Sequence, residues 1–170
     1  MENKTKFQGT PVSVAGTFVT PGMKAPDFSL TKEDLSRFTP ADAKGKKMLL
    51  NIFPSIDTPV CSASVRKFNE MAAGMEDTLV LCISKDLPFA QSRFCAAEGI
   101  RNVITLSDFH YGSTFGKDYG VLMTDGPLSG LLARAVVIID RDGKIAYSDM
   151  VSEIVNEPDY DRALEALKKA

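Results

Sequence analysis

The run Pro54-Ser55-Ile56-Asp57-Thr58-Pro59-Val60-Cys61 joins an apolar stretch, Met48 to Phe53, to a helix-like one, Val65 to Met75. Thr58 suits an N-cap, and Pro59 suits the first helical position. With Thr58 as cap, Cys61 is the third helical residue and sits in the first turn. Backbone N–H groups there have no intrahelical partner, and the helix dipole is positive. Both favour a thiolate over a thiol. The sequence therefore predicts a cysteine of lowered pKa that acts as a nucleophile. A small buried residue on a packing surface is the plainer alternative. The succession of strand, proline-bracketed turn and cysteine favours the reactive reading.

Working outward, Gly9, Thr10-Pro11 and Gly16 interrupt short β-type segments over residues 5 to 20, which predicts an N-terminal hairpin. Phe28 to Leu30 and Leu35 to Thr39 suit short strands, and Met48 to Phe53 a buried one. Val60 to Met75 reads as a helix with Val65, Phe68, Met71, Ala72 and Met75 on one face. Thr78 to Ser84 is another central strand, and Pro88 to Glu98 a helix closed by Gly99. Val103 to Leu106 suits a short strand and Ser113 to Tyr119 a short helix. Ala133 to Asp140 is apolar and β-branched. The turn at Asp142-Gly143 returns the chain as a strand over Lys144 to Val151. Asp159 to Lys169 is a final helix. The order predicts a three-layer α/β sandwich whose sheet is mixed, because a tight turn forces antiparallel pairing. It is the order of a thioredoxin-like fold with an N-terminal hairpin extension.

At 170 residues the chain is expected to form one domain, 1–170, with the N-terminal hairpin segment, 1–20, part of it. The formal net charge of −2 gives no basic surface for nucleic acid or an anionic membrane. No stretch approaches a membrane-spanning length, and the N-terminus lacks a signal-peptide core. A cytoplasmic location is the expectation. Three cysteines are too few for a disulfide scaffold. They are spaced too widely, with one histidine, for a zinc site.

The motif Pro54-x-x-x-Thr58-x-x-Cys61, in this strand–turn–helix setting, resembles that of the peroxiredoxins. The resemblance extends to the bacterial thiol peroxidases, the atypical two-cysteine branch of that family. It covers nearly the whole chain. Its segments include Val12 to Pro21, Gly22-Met23-Lys24-Ala25-Pro26-Asp27-Phe28, and Ser55 to Cys61. Further on come Asp86-Leu87-Pro88-Phe89-Ala90-Gln91-Ser92-Arg93-Phe94-Cys95 and Gly130-Leu131-Leu132-Ala133-Arg134-Ala135. The resemblance implies that Cys61 is the peroxidatic cysteine, oxidised by hydrogen peroxide or an organic hydroperoxide to a sulfenic acid. It implies that Cys95 resolves that acid as an intrachain Cys61–Cys95 disulfide, with thioredoxin as reductant. It further implies a homodimer and no metal or organic cofactor, since sulfur carries the redox change. Thr58 would contact thiolate and peroxide, and Pro54 would shield the cysteine.

Arg134 opens an apolar strand, where a guanidinium is costly unless paired. One reading is an edge-strand arginine reaching water. The other, strengthened by the resemblance, is a fixed charge beside Cys61 that stabilises negative charge as the O–O bond breaks. Helical arithmetic clusters Phe89, Ala90, Phe94 and Ala97 on one face and puts Cys95 nearly opposite, beside Gln91 and Glu98. That predicts an accessible, exchangeable Cys95 thiol. Cys82, in an apolar strand, reads as a core residue. His110 has no role in this chemistry.

Two other activities compete. A thioredoxin-type thiol–disulfide oxidoreductase would share the fold, but it uses a Cys-x-x-Cys pair. Here Thr58 and Ser64 stand at those positions around Cys61. A peroxide sensor would use the same residues without turnover.

Overall fold

The computed structural model describes residues 5–170. The first four residues, part of the expected hairpin segment, lie outside the described residues. Strands β1 (Thr5–Phe7) and β2 (Thr10–Val12) pair antiparallel as the expected hairpin. Gln8 and Gly9 turn it with positive φ, which costs glycine nothing. Strand β3 (Val14–Ala15) pairs with β9 (Leu122–Met123), a contact too short to show any periodicity in sequence.

The main sheet has seven strands: β4 (Leu30–Thr31), β5 (Arg37–Phe38), β6 (Lys47–Ile52), β7 (Thr78–Ser84), β8 (Ile104–Ser107), β10 (Ala135–Ile139) and β11 (Ile145–Met150). Their order is β11-β10-β6-β7-β8-β4-β5. The central β6, β7 and β8 run parallel, while β10, β11, β4 and β5 add antiparallel neighbours. The mixed sheet follows from the Asp140–Lys144 turn. There the Asp140 carboxylate accepts the Asp142 and Lys144 N–H groups, at 2.9 and 3.0 Å, and Gly143 takes φ +82°.

Alternation along the central strands divides the core. Met48, Leu50, Ile52, Leu81, Ile83, Val137 and Ile139 face Phe28, Phe115 and Tyr119. Leu49, Val80, Cys82, Val136 and Ile138 face the other way, toward helices α1 (Pro59–Ala72), α2 (Pro88–Glu98) and α4 (Tyr160–Lys169). Helix α3 (Phe115–Asp118) lies on the first face. Continuous burial on both faces explains why β6, β7 and β10 read as unbroken apolar runs. Helix α1 stops at Ala72, three residues before the expected end at Met75 and just ahead of Gly74. The Asp159 carboxylate caps α4 by accepting the Arg162 N–H at 3.0 Å.

Candidate active site

The turn from β6 to α1 carries the motif. Thr58 is the N-cap of α1, with extended backbone at φ −93° and ψ 146°, and Pro59 is at N1. Cys61 is therefore the third helical residue. The Thr58 hydroxyl does not cap the helix. It donates to the Ser55 carbonyl at 3.0 Å, tightening the turn instead. The cap is thus a matter of backbone geometry, and the side chain is committed to the loop before the helix.

Cys61 is fully buried, in a cluster with Phe53, Ile56, Val65 and Phe68. Arg134, 73 residues away, donates from Nη2 to its sulfur at 3.2 Å. Arg134 lies one residue before β10 and is only 2% exposed, so the reading in which it reaches water does not hold. Its Nε donates to the Ile154 carbonyl at 2.8 Å, which fixes the plane of the guanidinium. Nη1 is buried and has no protein acceptor among the described residues. An unmet donor on a buried cation is costly. Beside it lies a cavity of about 190 Å³, lined by Pro54, Ser55, Thr58, Pro59 and Val60 on one side. Phe7, Leu128, Leu131, Ile154 and Val155 line the other. Pro54, Thr58, Cys61 and Arg134 are brought together as the sequence led one to expect.

The hairpin helps to form the cavity. The Glu153 carboxylate accepts the Gln8 and Gly9 N–H groups, each at 2.9 Å, and those bonds hold its pKa below the ordinary value. Across the same seam the Lys6 N–H donates to the Ser152 carbonyl and the Ile154 N–H to the Lys6 carbonyl. Phe7 is thereby carried to the cavity wall.

Cys95 departs from expectation. It is buried, at 7% exposure, and packs in the same apolar cluster as Cys61 and Cys82. The inward face of α2 is Pro88, Gln91 and Cys95, while Phe89 is 66% exposed. Apolar residues are spread round α2 so evenly that periodicity cannot orient it. Gln91 settles the orientation instead, by donating to the Leu106 carbonyl of β8 at 3.0 Å. Burial, and then the Glu33 carboxylate, push the Cys95 thiol up to about 12, against an opposing bond from Thr105. Glu33 is itself held by the Thr105 hydroxyl at 2.8 Å.

Cys82 is a core residue, as read. Burial pushes it up to about 12, although Asn51 Nδ2 lies 3.7 Å from its sulfur. All three cysteines are free thiols. His110 stacks on Phe109 at 4.2 Å.

Other residues of the site were not legible in sequence. Asn51 donates to Ser64, whose hydroxyl donates to the Cys61 carbonyl at 2.8 Å. A polar residue inside the apolar run Met48–Phe53 was the available signal. Asp86 binds the active turn directly and had no such signal.

Comparison with known proteins gives the family. The redoxin family profile matches residues 20–164. This chain belongs to the redoxin family. Within it the chain is 53% identical over 164 residues to a thiol peroxidase of Corynebacterium glutamicum, covering 96% of this chain and 98% of that one. It is 52% identical over 161 residues to a thiol peroxidase of Mycobacterium tuberculosis, with 95% and 96% covered. Among solved structures, a peroxiredoxin-like protein from Aquifex aeolicus superposes with a TM-score of 0.92 at 43% identity, over 98% of this chain and 96% of that one. The thioredoxin-like α/β fold and a peroxiredoxin-type peroxidase activity, thiol-dependent peroxide reduction, follow from this membership. No helix among the described residues is long and apolar enough to cross a membrane.

Proposed function

We propose that this redoxin reduces hydrogen peroxide and organic hydroperoxides by a two-cysteine cycle within one chain. The observation that carries the proposal is Arg134, which gives one nitrogen to Cys61 Sγ, keeps another unmet and lines the apolar cavity. The Cys61 thiolate attacks the distal oxygen of ROOH. The S–O bond forms, the O–O bond breaks, and RO⁻ leaves as ROH with the proton the thiol gave up. Sulfur loses two electrons and becomes a sulfenic acid. The unmet Nη1 donor is available to the peroxide oxygen on which charge grows. Thr58 and Pro54 line the cavity: the Thr58 hydroxyl, its proton given to Ser55, can accept the peroxide O–H, and Pro54 keeps water off the sulfur. Phe7, Leu128 and Leu131 make that wall apolar, which suits an alkyl group on the peroxide.

Cys95 then attacks the Cys61 sulfur. The S–S bond forms, the S–O bond breaks, and hydroxide leaves as water with the Cys95 proton. A dithiol of the thioredoxin kind returns both thiols by exchange. The two cysteines stand on separate helices and both are buried. A thiol held near 12 is a poor nucleophile where it lies. The start of α1 and the Cys95 end of α2 therefore open locally in each turnover. The working form is proposed to be a cytoplasmic homodimer.

The test is to treat reduced protein with one equivalent of cumene hydroperoxide and map its peptides without reduction. A Cys61–Cys95 peptide with Cys82 free is expected. Oxidised Cys61 with Cys95 untouched would remove the two-cysteine cycle and leave a one-cysteine enzyme or a sensor.

A further inference from the structure

One carboxylate ties the turn before Cys61 to the segment that starts the Cys95 helix. Asp86 lies between β7 and α2, one residue before the α2 N-cap, Leu87. Its Oδ2 accepts the Ile56 N–H at 2.7 Å and the Ser84 hydroxyl at 2.6 Å, and its Oδ1 accepts the Ser55 hydroxyl at 2.8 Å. Ser84 in turn accepts from Gln91 Nε2 at 3.2 Å. Gln91 is fully buried and lies one helical turn before Cys95 on the inward face of α2. The chain of bonds thus runs from the Pro54–Thr58 turn through Asp86 and Ser84 to the face of α2 that carries Cys95. The Ser107 hydroxyl also donates to the Asp86 carbonyl, fixing its backbone to β8. A second tie, Arg93 to Asp57 at 3.8 Å, joins two exposed side chains and contributes little in water.

We propose that Asp86 is a positioning residue for the peroxidase cycle, a latch that holds the Cys61 turn closed for peroxide attack and sets the rate at which it opens for Cys95. The inference rests on the two-cysteine cycle proposed above. Hydrogen bonds to a charged acceptor are strong, and Asp86 accepts two from the active turn. The turn cannot leave α2 without breaking both. Opening is then a step separate from chemistry, with Asp86 on the closed side of its equilibrium. The closed state protects Cys61 geometry but leaves the sulfenic acid exposed to a second peroxide while it waits.

The experiment is stopped-flow oxidation of reduced protein, resolving peroxide attack, second order in peroxide, from first-order disulfide formation. Asp86→Ala is expected to speed disulfide formation about tenfold, to slow attack severalfold because the turn is closed less of the time, and to raise the peroxide concentration that over-oxidises Cys61 by about the factor gained in resolution. Asp86→Asn keeps a carbonyl for Ile56 but loses the charge and one acceptor, and its rates are expected between those of native protein and Asp86→Ala. Arg93→Gln is expected within twofold of native in both phases. A general loss of structure would slow both phases together instead. Disulfide formation in Asp86→Ala at the native rate, or slowed in step with attack, overturns the latch alone. Native protein that forms no Cys61–Cys95 disulfide overturns the two-cysteine cycle and this inference with it. Should Asp86→Ala fail to fold, the Ile56 amide of native protein serves. It is expected to be protected in the reduced form and to exchange freely in the disulfide form. Equal protection in both overturns the latch.

Discussion

Arg134 Nη2 meets Cys61 Sγ at 3.2 Å across 73 residues of chain, and the same guanidinium is anchored through Nε to Ile154. The sulfur therefore faces a charge whose position is fixed by the backbone of a third segment. Lysine can supply the charge but not the fork. Arg134→Lys is expected to lower the second-order rate constant for peroxide about a hundredfold, the scale of losing one aligned donor in a dry site. Stopped-flow oxidation under pseudo-first-order peroxide measures it, and a rate within threefold of native would remove Arg134 from the chemistry.

The Thr58 hydroxyl is spent on the Ser55 carbonyl rather than on the helix. Thr58→Val keeps the shape and loses that bond. Stability should fall by about 1 kcal/mol, while peroxide turnover should fall at least tenfold because the hydroxyl also borders the cavity. Thr58→Ser should restore most of the turnover. Equal activity in Val and Ser variants would leave Thr58 with the turn alone.

The two thiols separate two halves of the reaction. Cys61→Ser should consume no peroxide. Cys95→Ser should consume one equivalent, then stall and pass to the sulfinic acid on further peroxide. Titration with cumene hydroperoxide and intact mass report both results. Full turnover by Cys95→Ser would assign resolution elsewhere.

Burial of Cys95 and Cys82 makes the stability of the reduced protein fall at alkaline pH. Both thiols are raised in the fold, from an ordinary 9.0 to about 12. Below pH 9 folded and unfolded chains hold the same thiol protons, and this contribution is fully present. Between about 9 and 12 the unfolded chain releases them first, so stability falls as pH rises. The buried Tyr119 hydroxyl, raised by desolvation, acts in the same direction. Urea midpoints of reduced protein at pH 8, 9 and 10 should decline. Cys82→Ala, less stable at every pH, should decline less steeply. Parallel slopes for the two proteins would contradict this assignment.

Amide exchange should register the opening of both helices. The first turns of α1 and the C-terminal half of α2 should be protected in the reduced form and lose at least tenfold protection in the disulfide form. Unchanged protection would mean that the pair forms without local unfolding.

Much of the fold is legible because its central strands are buried on both faces. β7 and α2 have the boundaries the pattern predicts, and β6 and β11 differ by about a residue at each end. The two-residue strands β3 and β9 carry no pattern at all; backbone pairing with a distant partner makes them. The apolar residues of α2 predict the opposite orientation to the one it takes. Phe89 lies outward and Cys95 inward, because Gln91 is committed to a carbonyl of β8.

By itself the sequence determined the local chemistry: a proline-bracketed turn, a cysteine at the third position of a helix, and an α/β alternation around it. Those are short-range matters of dihedral preference, capping position and burial period, and neighbouring residues decide them. Long-range packing was needed to leave an Arg134 donor unmet beside that cysteine, to bring Phe7 to the cavity, to bury Cys95, and to tie the turn before α1 through Asp86 to the segment before α2. Each depends on which buried polar group finds which partner across the sheet. That choice is made by the packing of segments far apart in the chain, which no local pattern encodes.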